Sequence, residues 1–312
     1  MRDIAPQYGN ISNIPPSYLV KPVISSLSAP PFNPSLAEVH RSIPPLSPNS
    51  LIALETARHL LASSAVLTDR EDQIDYTELG GLCTGNRFIG ISNTLNWANH
   101  SPGGLGAVLV TSEYRLAPEN PQAAALEDTH ATLAWMSFHA DELGFNPDKL
   151  IVVGGSEGGN LAAGVTLLAR DRPSSTGTKI NIAGQLLIAI PLHGACAEVG
   201  PWTRSNHIDS SNHAFGVSRD AEHVTMYTLP ERVTEKDLVK LPPTCLDVGT
   251  ADIYGDQVLD CTQKSLRAGI DTEIHLWSGC WHAFDDFVPT ATVTKEAWGV
   301  REQWLRGVLG ED

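Results

Sequence analysis

No apolar run in this 312-residue chain approaches the roughly 20 residues that a membrane-spanning helix needs, and the first ten residues lack the apolar core of a secretory signal. Basic residues are scarce, with 21 Lys and Arg against 36 Asp and Glu and a formal net charge of −15. That balance repels phosphate backbones and anionic lipid surfaces, so neither nucleic acid nor a membrane is an expected partner. Cysteine is sparse and odd in number. Cys83, Cys196, Cys245, Cys261 and Cys280 form no C-x-x-C pair and no metal-ligand spacing, and they read as reduced thiols. The expectation is a soluble cytoplasmic protein without a disulfide framework or a metal centre.

The clearest signal lies at Leu150 to Asn160. Leu150, Ile151, Val152 and Val153 read as a short buried strand, and Gly154-Gly155-Ser156-Glu157-Gly158 after them matches G-x-S-x-G. In that motif a sharp strand-to-helix turn lifts the serine hydroxyl above the sheet edge, with glycines where a Cβ would collide. Leu161 to Ala169 then read as a mostly apolar helix, suited to packing on a sheet.

Strand and helix patterns alternate through much of the chain. A strand is predicted at Ala107–Thr111, a helix at Pro121–Leu143, and a strand at Gln185–Ile190. Further on, the pattern predicts strands at Thr244–Val248 and Glu273–Trp277, and helices at Asp256–Ala268 and Thr292–Leu309. Alternation with short connections implies a parallel sheet with helices on both faces. Residues 1–64 form a Pro-rich lead-in with one amphipathic helix near 50–63, and 65–312 form the main domain. An inserted cap is expected at about 192–240, where histidines cluster without ligand spacing and strand signals fade.

A serine hydroxyl needs a base within hydrogen-bond reach, and the base needs an acid to fix its tautomer. Asp252 follows the Thr244–Val248 strand and His282 follows the Glu273–Trp277 strand, in the order Ser, acid, His. Asp256 is the alternative acid.

Several motifs in one order resemble the hormone-sensitive-lipase-like family of α/β-hydrolases. Tyr114 to Glu119 matches Y-R-L-A-P-E, and Gly154 to Asn160 is similar to G-D-S-A-G-G-N, with Gly155 and Glu157 in place of Asp and Ala. Leu241 to Thr244 matches L-P-P-T, and Gly279 to Phe284 is similar to G-x-x-H-G-F with Ala283 for Gly. The resemblance implies an eight-stranded, mostly parallel sheet with a helical cap. It also implies a triad of Ser156, Asp252 and His282, no cofactor, and a small-molecule ester as partner. A homodimer is compatible with this reading. The family's oxyanion motif H-G-G-G stands here as Glu78-Leu79-Gly80-Gly81, so Gly80, Gly81 and the amide of Glu157 are the expected donors. The side chain of Glu157 is expected to face solvent. The function so implied is a serine esterase. The alternatives are a non-catalytic small-molecule binder, as the altered oxyanion motif suggests, or a lactonase, amidase or acyl-transfer enzyme with the same triad. Trp281 and Phe284 are expected to narrow the acyl pocket.

Overall fold

Four short apolar segments pair side by side as a parallel sheet in the computed structural model, which describes residues 32–42, 110, 112, 114–116, 119–120, 123–172, 179–190, 224–252 and 254–310. The strands are β1 (Leu150–Gly155), β2 (Ile182–Ile188), β3 (Thr244–Gly249) and β4 (Thr272–Trp277), adjacent in that order. The described helices are α1 (Ala37–Ser42), α2 (Ala124–Phe138), α3 (Ala140–Leu143), α4 (Glu157–Asp171), α5 (Glu235–Leu238), α6 (Gly255–Arg267), α7 (Phe284–Phe287) and α8 (Thr292–Leu309).

Side chains alternate across the sheet, as a period of two requires. Leu150, Val152, Leu187, Leu246 and Val248 join one core cluster with Leu126 of α2, Leu161 and Val165 of α4, and Val258 of α6. Ile151, Val153, Leu186, Ile188 and Cys245 belong to another, with Trp298, Trp304 and Leu305 of α8. Both faces are therefore covered, which explains why these strands read as continuous apolar runs.

The register brings the carboxyl ends of the strands together. Gly155 pairs with Ile188, Ile188 with Asp247, and Gly249 with Trp277. Whatever follows β1, β3 and β4 emerges on the same edge.

Two predicted boundaries move. The strand placed at Gln185–Ile190 starts at Ile182 and ends at Ile188, because Gly184 lies against Trp304 and Val308 of α8 and extends the paired segment upstream. The helix placed at Pro121–Leu143 is two, α2 and α3, separated at His139, whose backbone leaves helical dihedrals at φ −101° and ψ 18°. Residues 224–240, expected at the end of the cap, pack on the main body: Leu167 of α4 contacts a cluster holding Val233, Leu238 and Ile270. The helix expected at 50–63, the cap at 192–223, most of the strand at 107–111, and the strands preceding β1 lie outside the described residues.

The motif Y-R-L-A-P-E serves the frame. Tyr114 is buried in the larger cluster, and Arg115 forms a bidentate pair with Asp128 of α2.

The glycine before the serine turn is sterically required. A Cβ on Gly154 would run into the backbone carbonyl of Gly158, which cannot yield because α4 fixes it. Gly154→Ala is expected to lower unfolding stability by about 2 kcal/mol or more, at the upper part of the overpacking range. Equilibrium urea unfolding checks this; a variant with the wild-type midpoint and slope would contradict it.

Candidate active site

Ser156 stands between β1 and α4 with φ 51° and ψ −129°, a conformation that non-glycine residues adopt only when their surroundings impose it. Its amide donates to the Ile188 carbonyl at 2.8 Å, and its carbonyl accepts from Gly159 at 2.8 Å and Asn160 at 3.2 Å. The sheet holds one side of the turn and the first helical turn holds the other.

Asp252 lies three residues beyond β3, its amide bonded to the Gly249 carbonyl at 3.1 Å. Its carboxylate is shut off from solvent, and Oδ1 accepts the Tyr254 amide at 3.0 Å. His282 lies five residues beyond β4, on a loop fastened to the residues after β3. There Gly279 N donates to Thr250 Oγ1 at 2.8 Å and Ala251 N to the Cys280 carbonyl at 3.0 Å. The N-terminal segment fastens the same loop: Asn33 N donates to the Gly279 carbonyl at 2.7 Å, and Leu36 is buried with Cys280, Trp281 and Phe284.

These loops bring the three side chains into line. Ser156 Oγ is 2.9 Å from His282 Nε2, and His282 Nδ1 is 3.0 Å from Asp252 Oδ2. With the proton on Nδ1 donated to Asp252, Nε2 is left as the acceptor facing the hydroxyl. Tyr254 sets its ring edge against the imidazole, with centroids 5.1 Å apart and planes at 79°. Asp256 is exposed on α6, so Asp252 is the carboxylate that meets His282.

Electrostatics favour a basic imidazole. Burial pulls His282 down, but Asp252, with Asp286 and Asp285 adding to it, outweighs burial and raises it above the ordinary histidine value. Burial, aided by the Asp285 charge, pushes the Asp286 carboxyl up to about 7. The Cys280 thiol, two residues from His282, is pushed up to about 12 chiefly by burial and stays protonated near neutral pH.

Of the expected oxyanion donors, Gly80 and Gly81 lie outside the described residues. Glu157 is the first residue of α4, directly after Ser156, so its amide belongs to the positive end of the helix. Its side chain does not simply face solvent as expected: the residue is half-buried, with Oε2 shielded from water by the packing around the elbow. Trp281 and Phe284, expected as pocket walls, are instead 6% and 3% exposed, packed in the cluster with Leu36 and Ala297.

Sequence reading missed a buried charge network. Arg301 of α8 donates from Nε and Nη2 to the Asp247 carboxylate at 3.0 and 2.8 Å and from Nη1 to Asp285, while Trp277 Nε1 donates to Asp247 at 2.7 Å. A signal was present, because an aspartate inside the run T-C-L-D-V must find a partner if that run is buried. Among the described residues, Cys245, Glu273 and His275 also bring three potential metal-ligand atoms within 4.8 Å of one another. They lie within β3 and β4, whereas the serine, histidine and aspartate follow carboxyl ends. There His275 is already bonded to Glu273 at 2.6 Å, and burial pushes the Cys245 thiol up to about 12.

A family model described as the alpha/beta hydrolase fold matches residues 80–286. The chain belongs to the hormone-sensitive-lipase-like α/β-hydrolases. Carboxylesterase NlhH of Mycobacterium tuberculosis is 28% identical to this chain over 204 residues, 63% of the chain and 62% of the relative. The chain thus spans about three fifths of the length of that curated relative. Carboxylic ester hydrolase LipN of the same organism is 49% identical over 65 residues, 20% of the chain and 17% of LipN. Among solved structures, a bacterial heroin esterase superposes with a TM-score of 0.73 at 25% identity, covering 89% of this chain and 98% of that one. No helix among the described residues is long and apolar enough to cross a membrane.

The raised ionisations of His282 and Asp286 yield a pH prediction. A base must be neutral to act, so kcat/KM should fall as pH drops through the raised His282 value. The ionised Asp286 favours the imidazolium; removing it lowers that value and moves the acid limb to lower pH. Asp286→Asn is therefore expected to move the limb to lower pH. A pH series of kcat/KM checks this, and an unmoved or upward-shifted limb contradicts it.

Proposed function

We propose that this hydrolase is a serine esterase that cleaves carboxylic esters of small soluble substrates through an acyl-enzyme intermediate. The observation that carries the reading is the run of contacts from Ser156 Oγ to His282 Nε2 at 2.9 Å and from Nδ1 to Asp252 at 3.0 Å, on a strained elbow at the amino terminus of a helix. Ser156 attacks the ester carbonyl as His282 takes its proton, and the carbonyl oxygen gains charge near the Glu157 amide. The tetrahedral species collapses, His282 returns the proton to the leaving alcohol, and Ser156 is left acylated. Water, deprotonated by His282, then attacks the acyl carbon; the bond to Ser156 Oγ breaks as His282 returns the proton to Oγ, and the acid leaves. Asp252 keeps the proton on Nδ1 throughout and stabilises the imidazolium. A non-catalytic binder has no use for a base seated at hydrogen-bond distance from a strained serine, so the site favours turnover over binding alone. The names of the relatives and the structural neighbour, all esterases or ester hydrolases, support the same reaction class.

Ser156→Ala is expected to reduce p-nitrophenyl acetate hydrolysis to the residual level left without a nucleophile, a loss of roughly 10³-fold or more. Asp252→Asn should lower kcat by orders of magnitude while Asp256→Asn costs little, since only Asp252 fixes the tautomer. Steady-state kinetics on the folded variants checks both. Full activity in Ser156→Ala, or the reverse order of the aspartates, would sink the assignment.

Small soluble esters are the proposed substrate class because a net charge of −15 disfavours anionic interfaces. Activity is expected to peak at acyl groups of roughly two to six carbons, since overpacking an acyl pocket costs more than an added methylene gains. A chain-length series of p-nitrophenyl esters tests this; activity rising through long chains and jumping above the critical micelle concentration is the contrary result.

A further inference from the structure

His282 is held from both sides along the chain. Before it, Gly279 and Cys280 are tied to Thr250 and Ala251, which follow β3. After it, the chain reaches Asp285 within three residues, by way of Ala283 at φ 57° and ψ 29°. A left-handed alanine is disfavoured and would relax if the following residues were released. Two side chains restrain that side: Phe284, packed in the core, and Asp285, whose carboxylate is paired with Arg301.

Arg301 does more than neutralise Asp285. Its side chain is 1% exposed, and the same guanidinium makes a bidentate contact with Asp247, itself 1% exposed. Asp247 lies on β3, five residues before Asp252. The guanidinium thus bridges the strand that delivers the acid and the helical turn that follows the base. A planar fork with donors on two edges suits that task, and a lysine ammonium would not reach both carboxylates with the same geometry. Trp277 Nε1, bonded to Asp247 at 2.7 Å, adds the end of β4 to the same node.

We propose that Arg301 is a positioning residue for the reaction: by holding Asp247 and Asp285 together it fixes the separation of Asp252 and His282, and so the alignment of His282 on Ser156. Arg301 touches neither substrate nor the reacting atoms; it acts through the loop. The inference rests on the esterase reading for its kinetic consequence, but its structural consequence, loss of the contact between His282 and Asp252, is independent of any reaction.

The test uses three variants of the full chain. Asp285→Ala releases the loop while leaving the pair of Arg301 and Asp247 intact; Arg301→Lys keeps the charge but not the fork; Asp285→Asn keeps an acceptor and serves as the conservative rescue. Two readouts are taken: steady-state kinetics on p-nitrophenyl acetate, normalised to folded protein by circular dichroism, and the low-field proton resonance of His282 Nδ1–H shared with Asp252, assigned by its loss in His282→Gln. Asp285→Ala and Arg301→Lys are expected to lower kcat by 10-fold or more with KM changed less than threefold, and to weaken or abolish the resonance. Asp285→Asn is expected to recover most of both. Wild-type kcat together with an intact resonance in folded Asp285→Ala or Arg301→Lys overturns the proposal, as does a rate loss that only follows the lost folded fraction. Should Asp285→Ala fail to fold, Arg301→Lys and Asp285→Asn carry the same comparison. Should the wild-type protein not hydrolyse esters at all, the esterase reading fails while the resonance still decides whether Arg301 sets the position of His282.

Discussion

The site depends on a backbone constraint at a single residue. Ser156 occupies a conformation that costs on the order of 1–3 kcal/mol for a residue bearing a Cβ, and nothing local to the serine relieves it. The cost is offset by structure on both sides. The pairing of β1 with β2 continues into the bond from the Ser156 amide to Ile188, and α4 begins at the next residue. The glycine two residues upstream lets strand and helix come close enough for this to happen. The serine hydroxyl is therefore presented by the frame as a whole, through the packing between β1, β2 and α4.

The parallel register extends that constraint to the other two groups. Since β1, β2, β3 and β4 run the same way and end nearly level, the loops after β3 and β4 have only a few residues in which to place a carboxylate and an imidazole over the serine. Short loops can be positioned accurately only if they are pinned, and these are pinned to each other. Among the described residues, the carboxylates of Asp252, Asp285 and half-buried Asp286, which act on His282, outnumber the buried cation, Arg301. An excess of negative charge favours a transient imidazolium, the state a general base passes through. Buried charge of this kind is expensive to maintain unless every member is bonded, and Asp247 accepts from both Arg301 and Trp277.

Much of this was legible in the chain itself. The elbow was readable because glycines, an apolar strand and an apolar helix agree on one turn, and α8 was readable from Thr292 to Leu309 because Gly310 closes it in the left-handed conformation. Asp252 could be preferred to Asp256 on position alone, being the first acid after a buried strand. The start of β2 was hidden because Ala183 and Gly184 carry no strand signal; Gly184 packs against Trp304 and Val308 of α8, more than a hundred positions away. The separation of α2 and α3 at His139 was hidden too, since no Pro or Gly marks it. The burial of Arg301 was not legible, because the helical period places it among both apolar and polar neighbours and only the fold reveals which face is inside. Trp281 and Phe284 show the converse error: aromatic residues beside a catalytic-type histidine suggest a pocket, but here they fill the core beneath the loop.

The hydrogen bonds of Asn33 to Ser278 and Gly279, in the loop before His282, join residues 245 or more positions apart in sequence. Closing so long a loop is thermodynamically mild, because the entropy of closure grows only with the logarithm of length, but contacts of this separation are among the slowest to form. The elbow is made of near neighbours and of strands that follow one another, so it can be complete while the base is still unseated. A partly folded chain would then display its serine without the means to activate it. On that order of assembly the segment at Asn33 would seat His282 last, after the turn that carries the serine is already built.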